Sequence, residues 1–178
     1  MQNSTMWPWR FCGKGRTFYE KAVIALGTNL GNRWENLSKA IRALELLPGS
    51  TTVVASSHIY ETEPFETPDE QNNYLNMCII VMTELSPHAL LGACLGIEAA
   101  MGRKRKIKNG ARVIDIDLLL YEDEEIHSEE LTIPHPGIRN RAFVMVPLAE
   151  LFPEKKVFDY DFAAAWQRVD KSGVERLG

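Results

Sequence analysis

The sequence predicts an α+β fold, an antiparallel sheet with helices packed on one face. Three observations carry that expectation. Short runs rich in β-branched and aromatic residues alternate with two longer segments whose apolar residues recur at helical spacing. Turn formers punctuate these runs at Pro48-Gly49, Gly102 and Gly110. The chain has 178 residues, 45% of them apolar, enough for one real core.

Ala22 to Gly27 is a short apolar run closed by a turn, which reads as a buried first strand. Asn32 is placed to cap a helix, with Glu35 three residues on, and Leu37, Ala40, Ile41, Leu44 and Leu47 follow on one face until Pro48-Gly49 stops them. Residues 51–62 are rich in β-formers and read as one second strand. The polar loop 63–73 is long enough that a functional role is expected of it. Tyr74 to Thr83 forms a third strand, and Ser86-Pro87 opens a second helix with its buried stripe at Leu90, Leu91, Cys94, Ile97 and Met101. A basic loop then leads into a fourth strand at 113–120. The order β-α-β-β-α-β is the ferredoxin-like sandwich. Residues 122–130 carry six acids around Ile126 and His127 and read as a solvated hairpin, followed by a helical segment restarted at Pro147. This adds a C-terminal hairpin and helix. No repeat or internal linker divides the chain, so 21–178 reads as a single domain behind an N-terminal extension at 1–20.

Charge narrows the function. The net charge is −4 and the sequence pI about 5.6, so the chain as a whole does not attract nucleic acid or anionic lipid. Positive charge is local, with six cations between Arg103 and Arg112. Cys12, Cys78 and Cys94 share no metal or redox spacing, and their odd number argues against a disulfide framework, which suits a reduced cytoplasmic setting. No apolar run approaches the roughly 18 residues of a membrane span. Met1 to Thr17 holds Arg10, Lys14 and Arg16 without an acid, yet lacks the apolar centre of a secretory signal.

The strongest chemical signal is Asp115-Ile116-Asp117 within an aliphatic strand. Alternation puts both carboxylates on one face about 7 Å apart, with Ile114, Ile116, Leu118 and Leu120 turned into a core on the other. Like charges this close call for a cation, and hard oxygen ligands beside a cationic loop suit Mg²⁺ and a polyphosphate. Arg112 is the expected fixed phosphate contact, since a planar guanidinium matches phosphate oxygens. Glu98, one helical turn before the loop, and His135, between two prolines, are further candidates, each with an ordinary structural alternative. The turn Gly27-Thr28-Asn29-Leu30-Gly31 sits where phosphate loops sit but matches no phosphate-loop motif. A ferredoxin-like RNA-binding module would instead need aromatic residues along the strand at 113–120, where this chain has acids and aliphatics. A different Mg-ATP-dependent transferase is the other alternative.

Arg112-x-x-Asp115-Ile116-Asp117-Leu118-Leu119 occurs together with Gly27-Thr28-Asn29-Leu30-Gly31, Tyr74-Leu75-Asn76, Ile97-Glu98-x-x-x-Gly102-Arg103, Pro134-His135-Pro136 and Asn140-Arg141-x-Phe143-Val144-x-x-Pro147-Leu148. This set, in this order from about residue 22 to 153, resembles the 6-hydroxymethyl-7,8-dihydropterin pyrophosphokinases of folate biosynthesis. The resemblance implies a ferredoxin-like fold and transfer of the terminal diphosphate of ATP to the hydroxymethyl oxygen of the dihydropterin, with release of AMP. It implies Asp115 and Asp117 as ligands of two Mg²⁺ ions, and Arg103 and Arg112 as the catalytic clamp on the transferring group. Arg105, Glu98, Thr132, His135 and Arg141 would surround the ATP. Tyr74 and Phe143 would sandwich the pterin, with Phe65, Asn76, Thr62 and Gly27 completing its pocket. Asn109 and Glu63 depart from the family's common tryptophan and proline. The chain is too short to hold an aldolase or synthase domain as well, and it is expected to act as a monomer on small molecules, with no nucleic acid or membrane partner.

Overall fold

Ala22 to Thr28 are buried without a break, which a strand of an antiparallel sheet can be only where both faces of the sheet are covered. The computed structural model, which describes residues 19–64, 70–103 and 110–177, shows two such layers. In chain order the elements are β1 (Glu20–Thr28), α1 (Arg33–Glu45), β2 (Thr52–Ser56), β3 (Ile59–Thr62), β4 (Tyr74–Thr83), α2 (Pro87–Ala100), β5 (Asp115–Tyr121), β6 (Ile126–His127), β7 (Thr132–Ile133), α3 (Ala142–Leu151), β8 (Lys156–Val157), β9 (Tyr160–Asp161), α4 (Ala163–Arg168) and β10 (Val174–Leu177). A 3-10 turn at Pro136–Arg139 precedes α3.

The main sheet runs β10-β3-β4-β1-β5, with β2 also paired to β4, and every pairing is antiparallel. This is the expected α+β, ferredoxin-like order. The helix signals hold at the level of single bonds: Asn32 Oδ1 accepts from the Glu35 amide at 3.2 Å, and Ser86 Oγ from the Ala89 amide at 3.4 Å. Leu37, Ala40 and Leu44 of α1 and Leu90, Cys94 and Ile97 of α2 pack against Ile24, Leu26, Ile79, Ile116 and Leu118. On the opposite face α3, α4 and the β8–β9 hairpin bury a second core around Val23, Cys78, Val144, Met145, Leu148 and Phe162.

The structure corrects four details. Residues 51–62 are two strands rather than one. Ser56 pairs with Ile79 and Tyr60 with Asn76, so four steps on one side oppose three on the other, and the surplus residue breaks the ladder at Ser57 and His58. The Ser57 hydroxyl mends the gap by accepting the Cys78 amide at 3.0 Å. Leu120 belongs to the second core, not the first: Val23 pairs with Leu120 and Ile24 with Leu118, so the unpaired Leu119 is a bulge that resets the alternation. Pro147 does not restart a helix but lies inside α3, where burial of Val144, Met145 and Leu148 outweighs the one amide that proline removes. Finally, the C-terminal residues 174–177 extend the sheet by pairing with β3. Residues 1–18, and with them Cys12 and the basic leader, lie outside the described residues.

Candidate active site

Cross-strand partners share a face, so the register of three strands assembles the site. Gly27 pairs with Asn76 on one side and Asp115 on the other, Ala25 pairs with Cys78 and Asp117, and Thr62 pairs with Tyr74. All of these face away from α1 and α2, at the end of the sheet where α3 begins. There all but the buried Cys78 line a cleft that is partly open to solvent and walled by Arg112, Arg141, Phe143 and Val144. Gly27 is required by a close approach: a Cβ there would lie 2.9 Å from Asn76 Oδ1. Asn76 is in turn held by donating from Nδ2 to the Thr62 hydroxyl at 2.8 Å, which leaves a fixed polar edge on the cleft wall.

One end of the cleft is charged. Arg112 donates to Asp115 Oδ2 and Arg103 to Asp115 Oδ1, each at 2.5 Å. Arg103 also pairs with Glu98, which is only 2% exposed and accepts the amide of Ile116 at 2.8 Å. Ile116 is the residue between the two acids, so Glu98 holds from below the strand that presents them. Asp117 has no ion pair among the described residues. Burial, and after it the neighbouring Asp115 charge, pushes the Asp117 carboxyl well above the usual carboxylate range, while Arg141 opposes the shift. Arg141 itself stands 5.9 Å from the centre of the Phe143 ring. Among the described residues no group of three or more His, Cys, Asp or Glu could hold a metal, so any cation here would have these two carboxylates as its protein ligands.

The Asp117 shift has a measurable consequence. A folded-state value above the unfolded one means that ionisation of this group costs stability, and that its contribution is lost as pH rises through the folded value. Asp117→Asn removes the cost. In the absence of divalent metal the variant is expected to melt about 2–4 °C above wild type near pH 8, the shift that ~1 kcal/mol makes in a chain of this size, and to match wild type near pH 4. A melting difference that stays constant across this range, followed by scanning calorimetry, would remove the assignment.

Of the residues expected from the sequence, Gly27, Thr62, Tyr74, Asn76, Arg112, Asp115, Asp117, Arg141 and Phe143 all border this one cleft. Arg103 and Glu98 lie directly behind Asp115. His135 flanks the site: its amide donates to the Leu119 carbonyl at 2.8 Å and its Nδ1 accepts from the Gly137 amide at 3.1 Å. Burial and the Arg141 charge lower its pKa, so the ring is neutral and carries its proton on Nε2. Thr132 is half-buried in the β6–β7 hairpin, opposite His127, and does not border the cleft. Phe65 and Arg105 lie outside the described residues, as do Lys104, Lys106, Lys108 and Asn109 of the basic loop. The sequence reading missed Glu63 and Val144, which line the cleft, and the part played by Asn29. The turn that holds Asn29 is no open phosphate loop, because Thr28 and Asn29 are fully buried and Asn36 donates to the Thr28 hydroxyl and the Leu30 carbonyl. Sequence offers no signal for this, since an asparagine between strand and helix more often caps the helix.

Comparison with known proteins covers nearly the whole chain. The family model described as 7,8-dihydro-6-hydroxymethylpterin-pyrophosphokinase matches residues 23–153. A 2-amino-4-hydroxy-6-hydroxymethyldihydropteridine pyrophosphokinase of Methylorubrum extorquens is 43% identical over 157 residues, 88% of this chain and 98% of that protein. The protein of the same name from Bacillus subtilis is 39% identical over 162 residues, 88% and 95% of the two chains. A folate synthesis bifunctional protein of Arabidopsis thaliana is 37% identical over 169 residues, 91% of this chain but only 34% of that protein. Among solved structures, Plasmodium falciparum HPPK-DHPS superimposes with a TM-score of 0.63 at 16% identity, over 84% of this chain and 44% of that one, which shows the shared fold.

Proposed function

Because the chain belongs to the 7,8-dihydro-6-hydroxymethylpterin-pyrophosphokinase family, we propose that the cleft beside Asp115 and Asp117 is where diphosphate passes from ATP to a dihydropterin. The chain is an ATP-dependent pyrophosphokinase, a transferase of the folate biosynthetic route. The observation that carries the assignment of the site is the junction, on one sheet face, of a carboxylate–arginine cluster with a pocket offering aromatic rings and fixed amide groups.

In this reading the hydroxymethyl oxygen attacks the β-phosphorus. The bond from that phosphorus to the bridging oxygen of the α-phosphate breaks, AMP departs, and the hydroxyl proton passes to solvent. The residues supply position and charge. Tyr74 and Phe143 hold the flat ring, and the Asn76 side chain with the backbone near Thr62 and Gly27 matches its amide and amine edges. Arg103 and Arg112, already gathered at Asp115, exchange carboxylate for phosphate oxygens and neutralise charge as it builds. Arg141 and His135 bound the nucleotide side, with Glu98 behind them, and Arg105, Thr132 and Phe65 keep the roles implied by the family. Two carboxylates on one strand fit Mg²⁺, which keeps most of its ligands as phosphate oxygens and water. Two such ions are proposed, which Asp115 and Asp117 would hold and which would supply neutralisation of the phosphate charge. The same reading makes the chain a cytoplasmic monomer, in keeping with Cys78 and Cys94, both buried with thiol pKa values raised by burial. No helix of the described residues is long and apolar enough to cross a membrane. An RNA-binding role is not favoured, as the corresponding strand offers acids rather than stacking rings.

The direct test supplies ATP, Mg²⁺ and 6-hydroxymethyl-7,8-dihydropterin and follows AMP. Formation of AMP with pterin diphosphate is expected, and release of ADP or of no product removes the proposal. Tyr74→Ala and Phe143→Ala are each expected to weaken pterin binding by about 1–3 kcal/mol, the range for bases stacked on aromatic rings, with ATP affinity much less changed. Calorimetric losses equal for both ligands would show damage to the fold instead.

A further inference from the structure

Arg33 stands where a helix least favours a cation. It is the first residue of α1, and the amide end of a helix repels positive charge, so contacts outside the helix account for its place. Its Nη1 donates to Glu61 Oε1 of β3 at 2.7 Å and to the Asn73 carbonyl at 2.8 Å. Glu61 has its own need of a cation, since its partners across the sheet are Leu75 on one side and another acid, Glu175 of β10, on the other. Both contacts of Arg33 fall one residue from the cleft, because Thr62 follows Glu61, Tyr74 follows Asn73, and Thr62 pairs with Tyr74. Side chains alternate along β3, so Arg33 and Glu61 lie behind the wall that Thr62 and Tyr74 present to the cleft, in a polar hollow that they share with Gln71 and Asn72.

We infer that Arg33 is a positioning residue for the pterin: it brackets the end of β3 to the start of β4 from behind, and so fixes the Tyr74 ring on which the flat substrate stacks. This role rests on the proposed place of the pterin at Tyr74. The ladder alone holds Tyr74 weakly. β1 pairs with β4 only as far as Leu75, so Tyr74 has a strand on one side, β3, and a loop behind it. A charged donor on the Asn73 carbonyl supplies the hold that the missing strand would have given, and stacking rewards it, since rings attract one another only within narrow limits of offset and tilt. The side chains of Arg33 and Glu61 are each 28% exposed, and an ion pair so open to water adds little to the stability of the fold. Its effect therefore belongs to the ligand.

The experiment is a double-mutant cycle read by calorimetry. The ligand 6-hydroxymethyl-7,8-dihydropterin is titrated into wild type, Arg33→Ala, Tyr74→Ala and the double variant, each saturated with a non-hydrolysable ATP analogue and Mg²⁺. Arg33→Ala alone is expected to weaken pterin binding by about tenfold, the scale of one hydrogen bond to a charged group. Once Tyr74 is already alanine, the same substitution should cost about twofold or less. The ATP analogue by itself should bind Arg33→Ala within about twofold of wild type, and steady-state kinetics should place the loss in the KM for pterin, with kcat little changed. Glu61→Gln keeps an acceptor but removes the charge that draws the guanidinium to the wall, and it carries the same cycle should Arg33→Ala not fold, with a loss of about threefold that again vanishes without the Tyr74 ring. An equal loss with and without that ring, an equal loss for both ligands, or no loss at all overturns the role of Arg33 and leaves the site assignment standing. A wild-type protein that binds no pterin overturns the proposed function, and the role of Arg33 with it.

Discussion

Asp115→Asn and Asp117→Asn will each lower turnover by about a hundredfold or more at saturating substrates, the scale for loss of a group that stabilises charge in the transition state. Both acids belong to the cleft, and the energetic state of each differs. Asp115 is bound by two guanidiniums, whereas Asp117 is half-buried beside Asp115 and Glu98, a position that a proton or a metal ion relieves. Mg²⁺ must therefore compete with a proton at Asp117, and the affinity for the metal should rise with pH until that carboxyl is fully ionised. Asp117→Asn should abolish this pH dependence as well as the activity. Turnover near wild type in both variants at saturating Mg²⁺ would sink the metal assignment. The expected rise in melting temperature of Asp117→Asn sets this loss apart from unfolding, because an inactive yet more stable variant has lost a ligand and kept its fold.

Arg103→Ala and Arg112→Ala are expected to reduce turnover by about 10²–10³ while changing the ATP dissociation constant far less, because a clamp on the transferring group acts mainly in the transition state. The structure adds a reason for the asymmetry. Each arginine meets Asp115 at 2.5 Å, so one carboxylate holds both guanidiniums in place at the charged end of the cleft. Arg103 carries a second tie to the buried Glu98, which also holds the amide of Ile116, so Glu98→Gln should disturb Arg103 and the strand that carries the two acids together. Lys104, Lys106 and Lys108 serve as comparators, each a cation whose effect salt should screen. An alanine series through the five cations, with turnover and ATP affinity measured for each, decides the matter. Equal losses at all five, in proportion to ATP binding, would make the loop a general electrostatic attractor and remove the specific arginine roles.

Local chemistry wrote much of this molecule into its sequence. The caps at Asn32 and Ser86, the buried stripes of α1 and α2, the strand at Tyr74–Thr83 and the paired acids of β5 were all legible, because each depends on residues within a few positions of one another. The family motifs extended that reading to Tyr74, Asn76, Arg141 and Phe143, and the cleft gathers these with Asp115 and Asp117. What the sequence could not contain is register. The surplus residue at Ser57–His58, the bulge at Leu119 and the pairing of Gly27 with both Asn76 and Asp115 are agreements between segments tens of residues apart. One step of slippage in any of them would turn an acid or an amide to the other face. Tertiary structure alone also gave the buried polar groups their separate roles, with Glu98 holding a strand and an arginine from below and Asn29 tying its own turn to the segments at Arg112 and Gln71. A carboxylate or an amide has the same sequence signature whether it caps a helix in water or bridges a core. Only the packing that removes water from around it sets the cost of leaving it unpaired, and so decides which bonds it must make.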